Sequence, residues 1–236
     1  MKNPHDELRI YLNKLIYRYR NIKSLDQQLK SIYEWNTPAR YEALNLGAHF
    51  FWIVDYSLSR IIFLELSMFL SEKEDRSLCD WLNKAKEHVV SINPTRFNKI
   101  EREYEPIKPE KYRRIIDCQI AQLQARQNII DRIKTHRDKA IVHLDREYFY
   151  DSQILDTNYP LSADDIDDLI EVVSCILRKH YSCLFQASMS MEVGSVQNID
   201  TVLQYARAWM RARRDSDLIE KGFKPVEYER DEYKQP

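Results

Sequence analysis

Apolar residues recur every three or four positions along most of this chain, the spacing of amphipathic helices. From about Asp6 to Trp35 the series Leu8, Leu12, Leu15, Ile16, Tyr19 and Ile22 marks a first helix, which Pro38 ends or restarts. Residues 39–70 form the most apolar stretch. Its stripe of Leu44, Ala48, Phe51, Val54, Leu58, Ile62 and Leu66 predicts one helix at the centre of a bundle. Another helix is expected over residues 75–90, with Leu78, Trp81, Leu82, Ala85 and Val89 on one side. Asn93-Pro94 opens a linker that contains Pro106 and Pro109. A long helix over residues 110–143 follows, and the aromatic, acidic residues 147–160 read as a loop.

Ser162 is a good N-cap, and Asp164 and Asp165 suit the first turn of a helix that runs to about Phe185. A last amphipathic helix spans residues 198–214 and leads into a tail rich in charge and tyrosine. The pattern thus predicts an all-α protein whose core is four long helices, with a helix added at each end. Its expected divisions are an N-terminal helix (1–38), a helical core (39–186), and a C-terminal helix with the tail (187–236).

Composition narrows the chemistry. Three glycines, Gly47, Gly194 and Gly222, are too few for a glycine-rich phosphate cradle, and no such fingerprint is present. A formal net charge of −1 gives no global field for nucleic acid, so any RNA contact must come from a local patch. The four cysteines lack metal-site or secreted-domain spacing and read as reduced thiols of a cytoplasmic protein. Residues 1–6 read as the approach to a polar helix rather than a signal peptide. Asp55, Arg60 and Glu65 interrupt the apolar run 50–70, which argues against a membrane span.

The most informative stretch is Arg137-Asp138-Lys139-Ala140-Ile141-Val142-His143, followed by Leu144-Asp145. A guanidinium grips phosphate through a planar fork of donors, and an imidazole moves protons near neutral pH. On an ideal helix the two residues differ by about 240° and about 9 Å of rise, so they do not share a face. One phosphate could meet both only if the helix is distorted there or if two copies of the motif face each other.

An arginine, a polar residue and a histidine near the end of the third long helix of a four-helix core resemble the HEPN superfamily (higher eukaryotes and prokaryotes nucleotide-binding domains). Arg137-Asp138 to His143-Leu144-Asp145 looks most like the branch of abortive-infection U (AbiU-like) proteins. So does the layout of Ala43-Leu44-Asn45-Leu46-Gly47 followed by residues 78–90; the likeness covers about Ala39 to Phe185. The resemblance implies an up-and-down bundle that acts as a homodimer and cleaves RNA without a metal or other cofactor. It gives His143 proton transfer, Arg137 the scissile phosphate, and Asp138 the orientation of the arginine or a contact to the sugar. It also implies a toxin or phage-defence role, with an antitoxin protein as a possible partner. Some domains of this kind serve instead as non-catalytic dimerisation or interaction modules, paired with an antitoxin or a nucleotidyltransferase.

Other residues enter as secondary candidates. Lys139 stands beside the motif, and Arg207, Arg211 and Arg214 share a helical stripe near Trp209; these four are the candidate RNA-binding residues. The alternative for the stripe is a solvated helix face. His136 reads as an exposed or supporting neighbour of Arg137, and His49 as a hydrogen-bonded core or interface residue. The group Asp164, Asp165, Asp167 and Asp168 reads as a charged helix start rather than a magnesium site. No metal ligands are expected.

Overall fold

The computed structural model describes residues 4–38, 40–142, 152–193 and 198–222. The fold is all-α, with one small two-stranded sheet. The chain forms two compact units, one from residues 1–27 and 56–194, the other from residues 28–55 and 195–236. Helix α1 (Pro4–Trp35) and helix α3 (Ala48–Phe69) each contribute residues to both.

In the larger unit, α1 buries Leu8, Leu12, Leu15, Ile16, Tyr19 and Ile22, the residues its periodicity selects. Helix α4 (Leu78–Glu87) starts at Ser77, whose Oγ accepts from the Asp80 N–H at 3.1 Å and satisfies a first-turn donor. The expected continuation to Val90 breaks at His88, and a short helix α5 (Val89–Ile92) follows. The proline-bearing linker holds a hairpin that the sequence pattern did not reveal. Its strands β1 (Thr95–Asn98) and β2 (Glu103–Pro106) are antiparallel, with Arg96 opposite Glu105 and paired to it at 3.0 Å. Pro106 sits at the strand end, where its missing N–H does least harm.

The long helix expected over residues 110–143 is three pieces. They are α6 (Pro109–Gln124), α7 (Gln127–His136) and a π-helical turn over Arg137–Val142. The expected loop 147–160 contains a short helix α8 (Ser152–Asn158). Helix α9 (Ala163–Phe185) begins with a capping box in which Ser162 and Asp165 satisfy each other's backbone N–H. Asp168 pairs with Arg126 at 2.8 Å and Asp165 with Arg132 at 3.7 Å, so the acidic start of this helix is tied to α7 and the residue that precedes it.

The core of this unit contains one polar knot. His180 lies between the Tyr112 hydroxyl and the Gln119 side-chain oxygen, each 2.6 Å away, with Trp81 against its ring. The neutral tautomer with its proton on Nε2 satisfies both neighbours: Tyr112 donates to Nδ1, and Nε2 donates to Gln119. Burial pushes the imidazole down to about 3, so it stays uncharged at neutral pH.

The smaller unit holds the end of α1, helix α2 (Tyr41–Asn45), the start of α3 and helix α10 (Ile199–Glu220). Its buried apolar residues include Ile32, Trp35, Ala43, Leu44 and Leu203, and polar bonds bind the strand-distant segments together. The Trp35 indole donates to Asp200 at 2.6 Å, and the Ile199 N–H donates to Gln28 at 2.7 Å.

Two further expectations change. The apolar stretch 39–70 is two helices separated at Leu46-Gly47, and its first part is not the centre of a bundle. Phe50 and Trp52 are 62% and 60% exposed, whereas Ile62, Leu66, Phe69 and Leu70 near the other end are buried. His49 is exposed and stacks on Trp52 rather than sitting in a core. Among the described residues, no helix is long and apolar enough to cross a membrane. The four cysteines are free thiols.

Candidate active site

The last turn of α7 places Arg137 at the point where the helix changes from α to π geometry. A π turn bonds one residue further along the chain than an α turn, and such turns gather at functional sites. Two groups fix the guanidinium. Its Nε donates to Asp138 Oδ1 at 2.6 Å, and one Nη donates to Ser67 Oγ at 3.3 Å. Ser67 is buried on α3 and donates its own proton to the Leu64 carbonyl at 2.8 Å, so its lone pairs are turned to Arg137. The Arg137 side chain is 16% exposed: held, but not sealed from solvent. Two of five N–H groups are thereby committed.

His136, one residue earlier, meets α3 one turn away from Ser67. It is buried against Phe63, its Nε2 lies 2.7 Å from the Tyr159 carbonyl, and its Nδ1 lies 4.0 Å from Asp156. Arg132, one turn back, donates to the Pro160 carbonyl. Lys139 lies over the Tyr159 ring at 5.5 Å. Three side chains of α7 and its π turn thus fasten Tyr159-Pro160, the two residues that follow α8. His136 is a buried tether, so of the two alternatives expected from the sequence the exposed one is set aside.

His143, with Leu144 and Asp145, lies outside the described residues. The structure therefore brings Arg137 and Asp138 together, with Lys139 on the same turn. The remaining candidate cations stand in the other unit. Arg207 is buried and donates to Glu42 at 3.0 Å; Arg211 donates to the same oxygen at 3.1 Å; Arg214 is exposed. Burial alone would raise the Glu42 carboxyl, but the bonds from Arg207 and Arg211 hold it below the usual range. Much of the charge on these two arginines is thus spent on joining α10 to α2. Among the described residues, no group of three or more His, Cys, Asp or Glu side chains is arranged to hold a metal ion.

Sequence reasoning missed Ser67 and the His136 tether. No local signal marks Ser67, because the helix that carries it meets Arg137 only after folding. The tether had one signal, the placement of His136 three positions after the buried Ile133.

Residues 5–205 match the HEPN_AbiU2 family, described as AbiU2. No curated protein and no solved structure matches the chain. The match takes in α1, which lies outside the resemblance read from Ala39 to Phe185, and it contains the whole Arg137–His143 motif. On a match of that extent, this chain belongs to the AbiU2 family of HEPN proteins.

Proposed function

We propose that this protein is a metal-independent endoribonuclease, acting as a homodimer in phage defence or as a toxin. The observation that carries the reading is the buttressed Arg137. An arginine that served only as a solvated helix end would not need a carboxylate on one edge and a buried hydroxyl on another. Its uncommitted N–H groups suit the non-bridging oxygens of a phosphate.

In this reading the ribose 2′-hydroxyl loses a proton and attacks the adjacent phosphorus. The bond from phosphorus to the 5′-oxygen breaks, and that oxygen takes up a proton. The products are a 2′,3′-cyclic phosphate and a free 5′-hydroxyl. His143 is assigned the proton transfer, Asp138 the alignment of Arg137, and Lys139 a phosphate contact. By the shorter way round, six residues of ideal α-helix leave the two positions about 120° apart, and one inserted residue would make that about 140°, so the π turn alone does not bring them to one face. A second copy is thus still needed to complete the site, and the exposed apolar face at the start of α3 is suited to contact it.

The test is incubation of purified protein with total RNA and with tRNA in EDTA, beside His143→Ala. Cleavage that survives chelation and fails in the variant is expected. Cleavage that requires added magnesium or manganese would refute the mechanism. Equal cutting by the variant would remove the assignment of His143.

A further inference from the structure

Within the larger unit, a cavity of about 440 Å³ opens between the start of α1, the end of α5, the first residue of β1 and the end of α9. Ligand pockets commonly begin at about 300 Å³. Two side chains on one face of α1, His5 and Arg9, line it from one side. Ser91, Asn93 and Gln186 line it from the others with neutral hydrogen-bonding groups. No lining residue among those described carries a carboxylate; Asp6, 3.5 Å from His5, is outside the lining. Cys183 at the wall is held neutral, because burial pushes its thiol up.

Arg9 is the unusual member. Its guanidinium lies 4.4 Å over the Phe185 ring, and Phe185 is itself stacked on Tyr181. That ring is its partner among the described residues: no carboxylate or carbonyl accepts from its N–H groups. A half-buried guanidinium fixed by its face and lining a polar cavity has N–H groups open to an acceptor.

The backbone adds an independent sign. Asn93 and Gln186 are both in the left-handed region, at φ 41° and 53°, and both line this cavity. Each follows a helix end, where glycine is the usual residue. Asparagine tolerates the position, whereas glutamine there costs about 1 kcal/mol relative to an unstrained residue. A strained side-chain amide retained at a cavity mouth is what a ligand contact would explain.

We propose that this cavity binds a phosphate group, as free phosphate or on a nucleotide. A tetrahedral anion uses donors that converge from several directions: the Arg9 edge, the His5 imidazole, the Ser91 hydroxyl, and the Asn93 and Gln186 amides. A carboxylate would use only the planar fork. The site lies apart from Arg137 in the chain and does not depend on the ribonuclease reading.

The test measures thermal unfolding of the full chain with inorganic phosphate, AMP, adenosine or acetate at matched ionic strength. At about ten times the dissociation constant, phosphate and AMP should raise the melting temperature by about 3–6 °C, saturably. Adenosine and acetate should not. A larger response to AMP than to phosphate would identify a nucleotide as the source of the group. Arg9→Met removes the charge and the donors while keeping an unbranched side chain, and should weaken phosphate at least tenfold. Gln186→Gly should raise the melting temperature without ligand while weakening phosphate, a pairing of signs that a purely structural glutamine would not give. Arg137→Lys should keep the response. An unchanged response in Arg9→Met, an equal response to acetate, or no response in the wild type would overturn the site. Loss of response in Arg137→Lys alone would move phosphate to the motif, overturning this site while leaving the ribonuclease reading intact.

Discussion

Arg137 reaches the position of its guanidinium through Asp138 and Ser67, and the two supports predict different losses. Arg137→Lys should cut poorly despite keeping the charge, because an ammonium reproduces neither the fork nor both supports. Ser67→Ala removes one support and leaves the arginine in place. It should lower single-turnover cleavage by roughly tenfold, about the worth of one long hydrogen bond from a guanidinium, with little change in helicity. His143→Ala should cost about two to four orders of magnitude, as expected of a positioned acid–base group. Single-turnover cleavage at saturating protein, with binding measured separately, checks all three. Wild-type rates in both His143→Ala and Arg137→Lys would make the motif structural. The arginine and its adjacent aspartate could be read from the sequence because they are neighbours in it. Ser67 could not, since a serine in an apolar helix gives no sign of which distant residue it will face.

At the scale of elements, local physics was read well where one rule acts alone. Ser162 caps α9 as its spacing with Asp165 requires, and Ser162→Ala should cost about 1 kcal/mol in urea unfolding. Periodicity failed where two helices share one phase: α6 and α7 continue a single apolar stripe, and the turn at Ala125-Arg126 that separates them has no glycine or proline to announce it. The hairpin escaped for a similar reason. Its strands are four residues each and mostly solvated, so no run of alternating apolar residues marks them. The knot joining α4, α6 and α9 carries a pH signature. His180 is depressed in the folded state, so the unfolded chain binds more protons as the pH falls below about 6.5. Stability should therefore fall between about pH 6.5 and 3, with a contribution from this residue approaching about 1.4 kcal/mol per pH unit. His180→Gln retains an acceptor for Tyr112 and a donor for Gln119. The difference between its pH–stability curve and that of the wild type should show this slope, and parallel curves would contradict it.

For the whole molecule, the exposed start of α3 bears on assembly. Leu46, Phe50, Trp52 and Ile53 are 53%, 62%, 60% and 44% exposed. Together they leave on the order of 400–500 Å² of apolar side chain open, a large part of the roughly 800 Å² that each partner buries in a standard interface. Phe50→Glu with Trp52→Glu should convert a dimer to a monomer and remove cleavage along with it. Light scattering at tens of micromolar checks the first outcome, and a wild-type monomer at that concentration would count against the dimer. The sequence identified this stretch as the most apolar but placed it in the core, because hydrophobicity reports a need for cover without saying whether the same chain supplies it.

The division of the smaller unit also has a consequence for synthesis on the ribosome. Trp35, Glu42 and Leu44 are packed and bonded in a unit that includes Asp200, Leu203, Arg207 and Arg211. Arg207 follows Glu42 by 165 residues. At about 5–20 residues per second, the earlier half waits roughly 8–30 s for its C-terminal helix to be made. During that interval the nascent chain holds an apolar segment without its native cover, while the larger unit has nearly all its residues available to fold. Arg137 is translated well before α10, so the interval separates the birth of the motif from the completion of the surface assigned to its second copy. A premature stop before Asn198 would make that delay permanent, yielding a motif-bearing chain that cannot finish the smaller unit.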